Sequence, residues 1–315
     1  MTSRTKTILA ATSSFGELSS AGEVLLADNG YDLVKNPYGR KLAESEIAGL
    51  LDRHRPVGLL AGLEPITADV IHNSAAFLRV ISRVGVGWDN VDHKAAGDLN
   101  IPVYRTEGVL DRSVAELTIG LILSILRKIG SHDRAVKDGN WEKHMGGLLA
   151  GRIVGIIGYG AIGRRVADLA TAFGATVIYY DLQAGESGQA PFATFEAVLQ
   201  DADLLCLHAA GSRMIIGKSE LDLFAKPGAI LVNTARGGLV DETALYHALK
   251  VGKIHGAGLD VFEQEPYDGP LSQLDNVVLT PHIGSYAREA RIEMEELAVK
   301  NLLAGLNGHS NKNAD

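Results

Sequence analysis

Three polar motifs in the second half of the chain carry side chains that could do chemistry. They span residues 233–238, 258–266 and 280–285, and each follows or ends an apolar run. Histidine can donate a proton near neutral pH, and a nearby carboxylate favours its charged form. Arginine can hold a carboxylate through its planar two-donor fork. These residue types suit hydride transfer to a carbonyl carbon, which needs a proton for the oxygen and a cation to orient the substrate.

A glycine-rich sequence lies in the middle of the chain, at residues 153–163, where an apolar run ends in G-x-G-x-x-G. Gly158 permits a tight turn, Gly160 lets backbone N–H groups approach a pyrophosphate, and Gly163 lets the following helix pack close to the strand. The phosphates would lie at the N-terminus of that helix. The motif predicts a dinucleotide site that includes Gly158, Gly160, Ala161, Ile162 and Gly163.

The residues after this motif support the same interpretation. An amphipathic helix is predicted from Arg164 to Phe173, and a second strand over residues 176–180 ends in Asp181. An acidic residue at this distance from the glycines binds a ribose hydroxyl. The alternative is that Asp181 only caps the strand. Its charge would repel a 2′-phosphate, and residues 182–184 offer no cation, so NAD is predicted rather than NADP.

Short apolar runs alternate with helical patterns along the whole chain, which predicts parallel strands joined by helical crossovers. Strands are predicted at residues 7–11, 57–61, 78–84, 101–104, 203–208, 230–233, 256–260 and 277–280. The length favours two domains. We expect an α/β fold in which a Rossmann dinucleotide-binding domain, residues 105–286, is inserted into a smaller flavodoxin-like substrate domain, residues 1–104 and 287–315, with a hinge at the two crossings.

The bulk composition excludes several classes of protein. A net charge of −8 argues against a general nucleic-acid or anionic-membrane binder. The single cysteine, Cys206, lies in an apolar run and indicates a reducing, cytoplasmic compartment. No signal peptide, membrane-spanning run or metal site is expected. An apolar helix predicted from Ser113 to Ile129 is expected to be buried between domains or in a subunit interface, and leads us to predict a homodimer.

The sequence resembles the D-isomer-specific 2-hydroxyacid dehydrogenase family over nearly the whole chain. The resemblance is carried by residues 83–92, Arg-Val-Gly-Val-Gly-Trp-Asp-Asn-Val-Asp, by Ser-Val-Ala-Glu-Leu at 113–117, by the glycine motif and by the three polar motifs. Within the family, its sequence most resembles the 3-phosphoglycerate dehydrogenase branch, and residues 137–141, Lys-Asp-Gly-Asn-Trp, are part of that resemblance. The chain ends soon after its last helix, so the regulatory domain of that branch is not expected.

The resemblance also implies roles for individual residues. It makes His282 the proton donor, Glu265 its carboxylate partner, with Glu263 as a nearby rival, and Arg236 the arginine that orients the substrate. Arg83 and the backbone at Val86 and Gly87 would help to hold the substrate. The remaining residues expected at the cofactor are His208, Thr234, Ala235, Asp260, which would contact the nicotinamide amide, and Gly284.

Several positions depart from the family pattern. A basic residue that looks phosphate-directed in some relatives falls on Ala61, whereas Arg83 remains and Arg40 could supply a cation from elsewhere. Residues 209–212 replace a proline-containing turn that borders the cofactor in relatives. Trp88 is bulkier than the usual aliphatic residue, so it either narrows the substrate pocket or packs beneath it.

The sequence therefore predicts an NAD-dependent enzyme that transfers hydride between the nicotinamide and a small anionic 2-hydroxyacid or 2-ketoacid, with D stereochemistry from the resemblance alone. A 3-phosphoglycerate-like substrate is one option. Oxidation of a phosphonate- or phosphate-bearing alcohol is an alternative that would use Arg40 and Arg83. An alternative of another class is a corepressor-like regulator that senses NAD(H).

Overall fold

A computed structural model describes residues 6–183, 190–211 and 213–312, without the side chains of 309–312. The chain forms two compact units, and the boundaries lie between Leu110 and Asp111 and between Ser285 and Tyr286. The first boundary is six residues later than the sequence pattern predicts, and the second is one residue earlier. Two positions used in the sequence argument, Ala184 and Ser212, lie outside the described residues.

The first unit contains a parallel sheet with the strand order β2-β1-β3-β4-β5. This is the order of flavodoxin-like sheets. Its strands and helices are β1 (Lys6–Ala10), α1 (Ala21–Asp28), β2 (Tyr31–Lys35), α2 (Glu44–His54), β3 (Gly58–Ala61), α3 (Ala68–Ser74), β4 (Val80–Arg83), α4 (His93–Asp98), β5 (Val103–Arg105) and α11 (Arg288–Lys312), the last returning from the end of the chain.

Three elements of the first unit differ from the sequence prediction. The pattern predicts neither α1 nor β2, because α1 has only eight residues and β2 is an edge strand without fully buried positions. The sequence pattern predicts a final helix over residues 288–303, whereas α11 runs from Arg288 to Lys312. It is anchored in the unit's core, where the Ser82 hydroxyl donates to the Ala298 carbonyl at 2.8 Å.

The second unit contains a parallel sheet with the order β11-β10-β9-β8-β6-β7. An isolated bridge between Tyr179 and Phe192 extends it beyond β7, so β6 lies at the point where the strand order reverses. The elements are α5 (Asp111–Leu126), α6 (Ile129–Lys137), β6 (Ile153–Ile157), α7 (Ala161–Ala172), β7 (Thr176–Tyr180), α8 (Phe195–Asp201), β8 (Leu204–Leu207), α9 (Lys218–Phe224), β9 (Ile230–Asn233), α10 (Glu242–Lys250), β10 (Gly256–Leu259) and β11 (Val277–Leu279).

The central strands of this sheet are buried on both faces, as parallel strands covered by helices must be. All residues of β8, β9 and β10 are buried. Cys206 in β8 is fully buried, and burial raises the pKa of its thiol to about 12. The thiol therefore stays protonated at neutral pH and acts as a small apolar side chain.

The apolar helix predicted over residues 113–129 is α5, which begins two residues earlier and ends three residues earlier than predicted. Helix α5 ends at Leu126, and Lys128 takes a left-handed conformation with φ of 54° before α6 begins. Helix α5 packs on α7, β9 and β10 of its own unit. Its apolar character is explained by packing within the second unit, so it gives no support to a subunit interface. Within the described ranges, no helix is both long and apolar enough to span a membrane.

Candidate active site

The carboxyl ends of four adjacent strands bring the predicted chemical residues to one edge of the second sheet. His208 follows β8, Arg236 lies three residues after β9, Asp260 follows β10 and His282 lies three residues after β11. Ligands of open parallel sheets bind at this edge. Residues far apart in sequence are therefore neighbours because of strand order.

His282 forms an ion-pair geometry with Glu265. Its Nδ1 lies 2.9 Å from Glu265 Oε2 and 3.1 Å from Oε1. The hydrogen bond to Glu265 raises the pKa of His282, burial lowers it, and the charges of Glu265 and Asp260 raise it further, against Arg236. The side chains are 45% and 37% exposed, so a small molecule can reach the pair. Because Nδ1 faces the carboxylate, Nε2 is the nitrogen left to exchange a proton with a ligand.

The rival carboxylate, Glu263, is placed differently. Its backbone N–H donates to Glu242 Oε1 at 2.7 Å, and Glu265 is the carboxylate bonded to the imidazole. His282 itself takes a left-handed backbone conformation, with φ of 55°. That conformation is uncommon for a residue with a side chain and is frequent at functional sites.

Arg236 is held in place by its neighbours in the turn after β9. The Asn233 side-chain amide donates to the Arg236 carbonyl at 2.8 Å and accepts from the Ala235 N–H at 3.0 Å. The guanidinium Nη1 donates to the Ala235 carbonyl at 2.7 Å. The charge of Arg236 lowers the pKa of His282, and both residues follow strands at the same edge of the sheet.

Gly237 lets this turn approach the loop that carries Glu265. A Cβ added to Gly237 would overlap the carbonyl of Phe262. We therefore expect Gly237→Ala to displace the arginine turn or the Glu265 loop and to cost about 1–3 kcal/mol of stability, with a fall in kcat/KM. Urea unfolding and steady-state kinetics measure both effects.

Gly120 provides the matched control for this prediction. It lies in α5, and a Cβ there would have nothing within 4 Å. Gly120→Ala should therefore leave kcat/KM unchanged and be neutral or slightly stabilising. Equal activity and stability in Gly237→Ala and Gly120→Ala would contradict the close-approach argument.

Asp260 fastens the loop that carries His282. The carboxylate is 1% exposed. Its Oδ1 accepts from the Thr280 hydroxyl at 2.6 Å and from the Ile283 N–H at 2.8 Å, and its Oδ2 accepts from the Gly284 N–H at 2.8 Å. The role implied by the family, a contact with the nicotinamide amide, stays a prediction.

The glycine turn has the shape that a pyrophosphate needs. A Cβ on Gly158, whose φ is 92°, would overlap the backbone at His208 and Ala209, and a Cβ on Gly163 would overlap the Gly158 carbonyl. Nothing lies within 4 Å of a Cβ on Gly160. Gly160 and Ala161 are exposed and Ile162 is half-buried, at the start of α7. Its first N–H groups have no intrahelical partners and can bind an anion.

Asp181 and His208 flank this turn. Asp181 accepts from the Tyr159 N–H at 2.6 Å and from the Gln183 N–H at 2.8 Å, which fixes its carboxylate beside the glycines. Both ring nitrogens of His208 are buried and have no hydrogen-bond partner among the described residues. Burial lowers the pKa of His208 to about 4, so the ring is neutral. An unsatisfied imidazole beside a phosphate-binding turn fits a polar cofactor.

The other predicted cofactor residues are part of the loop framework. The Thr234 hydroxyl lies 2.9 Å from that of Thr118, which donates to the Val114 carbonyl at 2.8 Å. The Gly284 carbonyl accepts from the Ser113 hydroxyl at 2.5 Å. These bonds fix the loops after β9 and β11 on α5.

The predicted substrate residues of the first unit follow β4. Arg83 is 6% exposed, and its guanidinium donates to the Val84 carbonyl and lies against Gly85. The buried carboxyl of Glu64 interacts electrostatically with Arg83, although burial raises the pKa of Glu64 overall. Val86 and Gly87 are partly exposed.

Arg40 and Trp88, two other positions that depart from the family pattern, contact residues of the first unit. Arg40 is exposed and makes a two-point ion pair with Glu46, at 2.9 and 2.7 Å. The ring of Trp88 packs between His93, at 4.3 Å between centroids, and the Arg105 guanidinium, 4.2 Å from the ring centre.

Sequence reasoning assigned no role to three residues that hold these loops. Glu242 accepts from the Glu263 N–H, the Ser113 hydroxyl donates to the Gly284 carbonyl, and the Thr280 hydroxyl donates to the Asp260 carboxylate. A signal for Glu242 is its position directly after Asp241, the N-cap of α10. No sequence spacing connects it to a loop twenty residues later. Within the described ranges there is no cluster of three or more potential metal ligands.

Comparison with known proteins agrees with this fold and site. Residues 119–284 match the family profile of the D-isomer specific 2-hydroxyacid dehydrogenase NAD binding domain. The TT0316 protein from Thermus thermophilus has a solved structure that is similar with a TM-score of 0.88 and 36% identity, over 96% of this chain and 97% of that one. The chain belongs to the D-isomer specific 2-hydroxyacid dehydrogenase family. It is an NAD-dependent oxidoreductase with a Rossmann-type fold.

Three curated relatives carry more specific names. A glyoxylate reductase of Thermococcus litoralis is 39% identical over 90% of this chain and 92% of its own length. A hydroxypyruvate reductase of Thermotoga maritima is 40% identical over 75% and 81%. A D-3-phosphoglycerate dehydrogenase of Archaeoglobus fulgidus is 39% identical over 79% of this chain but only 49% of its own length.

Proposed function

We propose that this enzyme reduces a small 2-keto monocarboxylate of the glyoxylate or hydroxypyruvate type with NADH, forming the D-hydroxyacid where the product is chiral. The observation that carries the proposal is the His282–Glu265 pair beside Arg236 at the carboxyl edge of the second sheet. Relatives with these activities match most of the chain.

Each side chain of this group has one task in the proposed reaction. NADH, when bound, supplies the hydride. Arg236 orients the substrate carboxylate with its planar fork. His282, charged because Glu265 accepts from Nδ1, donates the Nε2 proton to the carbonyl oxygen. Glu265 stabilises the charged imidazole and holds its orientation, as a carboxylate partner does for a general acid.

The first unit supports a substrate without a second anionic group. Arg83 is buried with Glu64 as its electrostatic partner, and Arg40 is paired with Glu46 on the surface. Oxidation of a phosphate- or phosphonate-bearing alcohol would use these two arginines to bind the second anionic group. The ion pairing of Arg40 and the burial of Arg83 do not favour that alternative. The contributions of Val86 and Gly87 to carboxylate binding, and a direct contact of Arg83 with the substrate, stay predictions.

A substrate panel tests the proposal. The wild-type enzyme with NADH should reduce glyoxylate and hydroxypyruvate with a higher kcat/KM than phosphohydroxypyruvate, which differs from hydroxypyruvate by the phosphate alone. Preference for phosphohydroxypyruvate would support the phosphoglycerate dehydrogenase-like activity instead. Tight NADH binding without turnover of any member would refute the proposed function.

Asp181 should determine the choice between NADH and NADPH. Its carboxylate would lie beside the adenosine ribose, where a 2′-phosphate meets a like charge that costs several kcal/mol. We expect a kcat/KM for NADH about 10²-fold or more above that for NADPH. Asp181→Ser should narrow this ratio, whereas Asp201→Ser, at the exposed end of α8, should not. Comparable use of both cofactors by the wild-type enzyme would count against the assignment.

A homodimer stays a prediction, but a different surface now supports it. Helix α6 has no buried residue, and residues 129–148 expose five large apolar side chains: Ile129, Val136, Trp141, Met145 and Leu148. Such exposure is typical of a subunit interface. Light scattering should give twice the mass of one chain, and Val136→Glu should lower it.

Val24 supplies the control for the dimer prediction. It is 52% exposed, as Val136 is, but lies on α1 in the first unit. Val24→Glu should leave the mass unchanged. A wild-type mass equal to one chain at micromolar concentration would rule out a stable dimer.

A further inference from the structure

Glu242 is the first residue of α10 and binds the loop that carries Glu265. Its Oε1 accepts a hydrogen bond from the Glu263 N–H at 2.7 Å. The preceding N–H, that of Phe262, donates to Glu265 Oε1 at 3.2 Å. Two consecutive N–H groups therefore bind two carboxylates, one from α10 and one from the loop's own Glu265.

The same stretch of backbone is confined from a second side. The carbonyl of Phe262 lies where a Cβ of Gly237 would be, so the turn that carries Arg236 packs directly on the peptide between Phe262 and Glu263. The nitrogen of that peptide binds Glu242 and its carbonyl faces Gly237. Its position is thereby fixed relative to both Arg236 and Glu265.

The surrounding charges show which property of Glu242 the loop uses. Burial raises the pKa of Glu242, and the like charges of Glu263 and Glu265 raise it further. Tyr267 is also within electrostatic reach, and burial raises its pKa, so it stays a neutral phenol. A negative charge at position 242 is therefore unfavourable here. The favourable contribution is the hydrogen bond that its oxygen accepts from the Glu263 N–H.

We propose that Glu242 is a positioning residue that holds Glu265 against His282 through its hydrogen bond to the Glu263 backbone. The proposal rests on the function proposed above, because it concerns the geometry of the proton donor. In this proposal Glu242 contacts neither the hydride nor the proton that is transferred, and it acts by limiting how far the loop that carries Glu265 can move.

Two conservative substitutions separate its hydrogen bond from its charge. Glu242→Gln keeps an oxygen acceptor of the same reach and removes the charge. Glu242→Asp keeps the charge, but its side chain is one methylene shorter and cannot reach the Glu263 N–H without a shift of the backbone. Both variants keep a polar residue at the start of α10, where either is tolerated.

The first measurement is the pKa of His282 in the full-length protein without NADH, by NMR titration, with His282→Ala to assign the signal. The groups that act on this imidazole are Glu265, Asp260 and Arg236, and neither substitution of Glu242 removes any of them. We expect Glu242→Asp to lower the pKa of His282 toward that of Glu265→Gln, and Glu242→Gln to keep the wild-type value. The second measurement is kcat, expected to fall about tenfold to a hundredfold in Glu242→Asp alone.

Glu220 offers a matched control, since its Oε2 accepts the Gly217 N–H at 2.9 Å at the start of α9. Glu220→Asp should change neither measurement. Equal losses in Glu242→Gln and Glu242→Asp, or a wild-type titration of His282 in Glu242→Asp, would overturn the proposal. Failure of the proposed function would look different, because the wild-type enzyme would turn over no ketoacid while the titrations still differed between the variants.

Discussion

Replacing His282 by alanine is expected to lower kcat for ketoacid reduction by about 10²-fold to 10⁴-fold, the usual contribution of a positioned proton donor. Glu265 binds the imidazole at Nδ1, which leaves Nε2 to face a ligand. Among the described residues that follow β8, β9, β10 and β11, His282 is the histidine that is bonded to a carboxylate. The affinity for NADH should change little, because His282 is proposed to donate the proton and not to bind the cofactor phosphates. Single-turnover kinetics and NADH fluorescence titration measure the two quantities separately.

The exposed histidine of α10 serves as the control: His247→Ala should retain wild-type turnover. Near-normal kcat in His282→Ala, on a substrate that the wild-type enzyme reduces well, would exclude His282 as the donor.

Glu265→Gln tests the same pair through its pH dependence. Reduction needs the charged imidazole, so kcat falls as pH rises through the pKa of His282. The hydrogen bond to Glu265 raises this pKa. Removing the charge of Glu265 therefore moves the fall in kcat to lower pH, and the rise in kcat for the reverse oxidation, which needs the neutral ring, moves to lower pH as well. An unchanged profile with reduced kcat would mean that Glu265 acts only by orienting the ring.

Arg236→Gln is expected to lower kcat/KM by about 30-fold to 4,000-fold. Loss of one partner from a partly desolvated carboxylate–guanidinium contact costs about 2–5 kcal/mol, and each 1.4 kcal/mol is tenfold. Arg236→Lys should recover part of this, because it restores the charge without the two-donor fork. The loss should be larger for glyoxylate than for an uncharged aldehyde, because the aldehyde has no carboxylate to bind.

Arg53, exposed on α2 in the first unit, gives the matched control, and Arg53→Gln should leave kcat/KM unchanged. Equal losses for glyoxylate and for the uncharged aldehyde in Arg236→Gln would show that Arg236 does not act through the substrate carboxylate.

Local patterns predicted much of the fold because they report local physics. The buried strands β3, β4, β6, β8, β9 and β10 are short apolar runs next to turn residues, and their prediction needs no tertiary information. Strand β2 and helix α1 were missed because an edge strand and a short helix bury little. The predicted end of α5, at Ile129, is three residues too late, because the positive φ of Lys128 between α5 and α6 is not signalled by its residue type.

The chain by itself determined the chemistry of this protein. The glycine spacing, Asp181, and an arginine, a carboxylate and a histidine after successive strands predict a dinucleotide and a hydride acceptor, because turn geometry and charge are properties of the residues themselves. Only the tertiary structure decided which of Glu263 and Glu265 meets His282, that Arg40 pairs with Glu46, and that α5 is buried within its own unit. Those outcomes depend on the path of loops and on the neighbours across a sheet edge, which residue spacing along the chain does not fix.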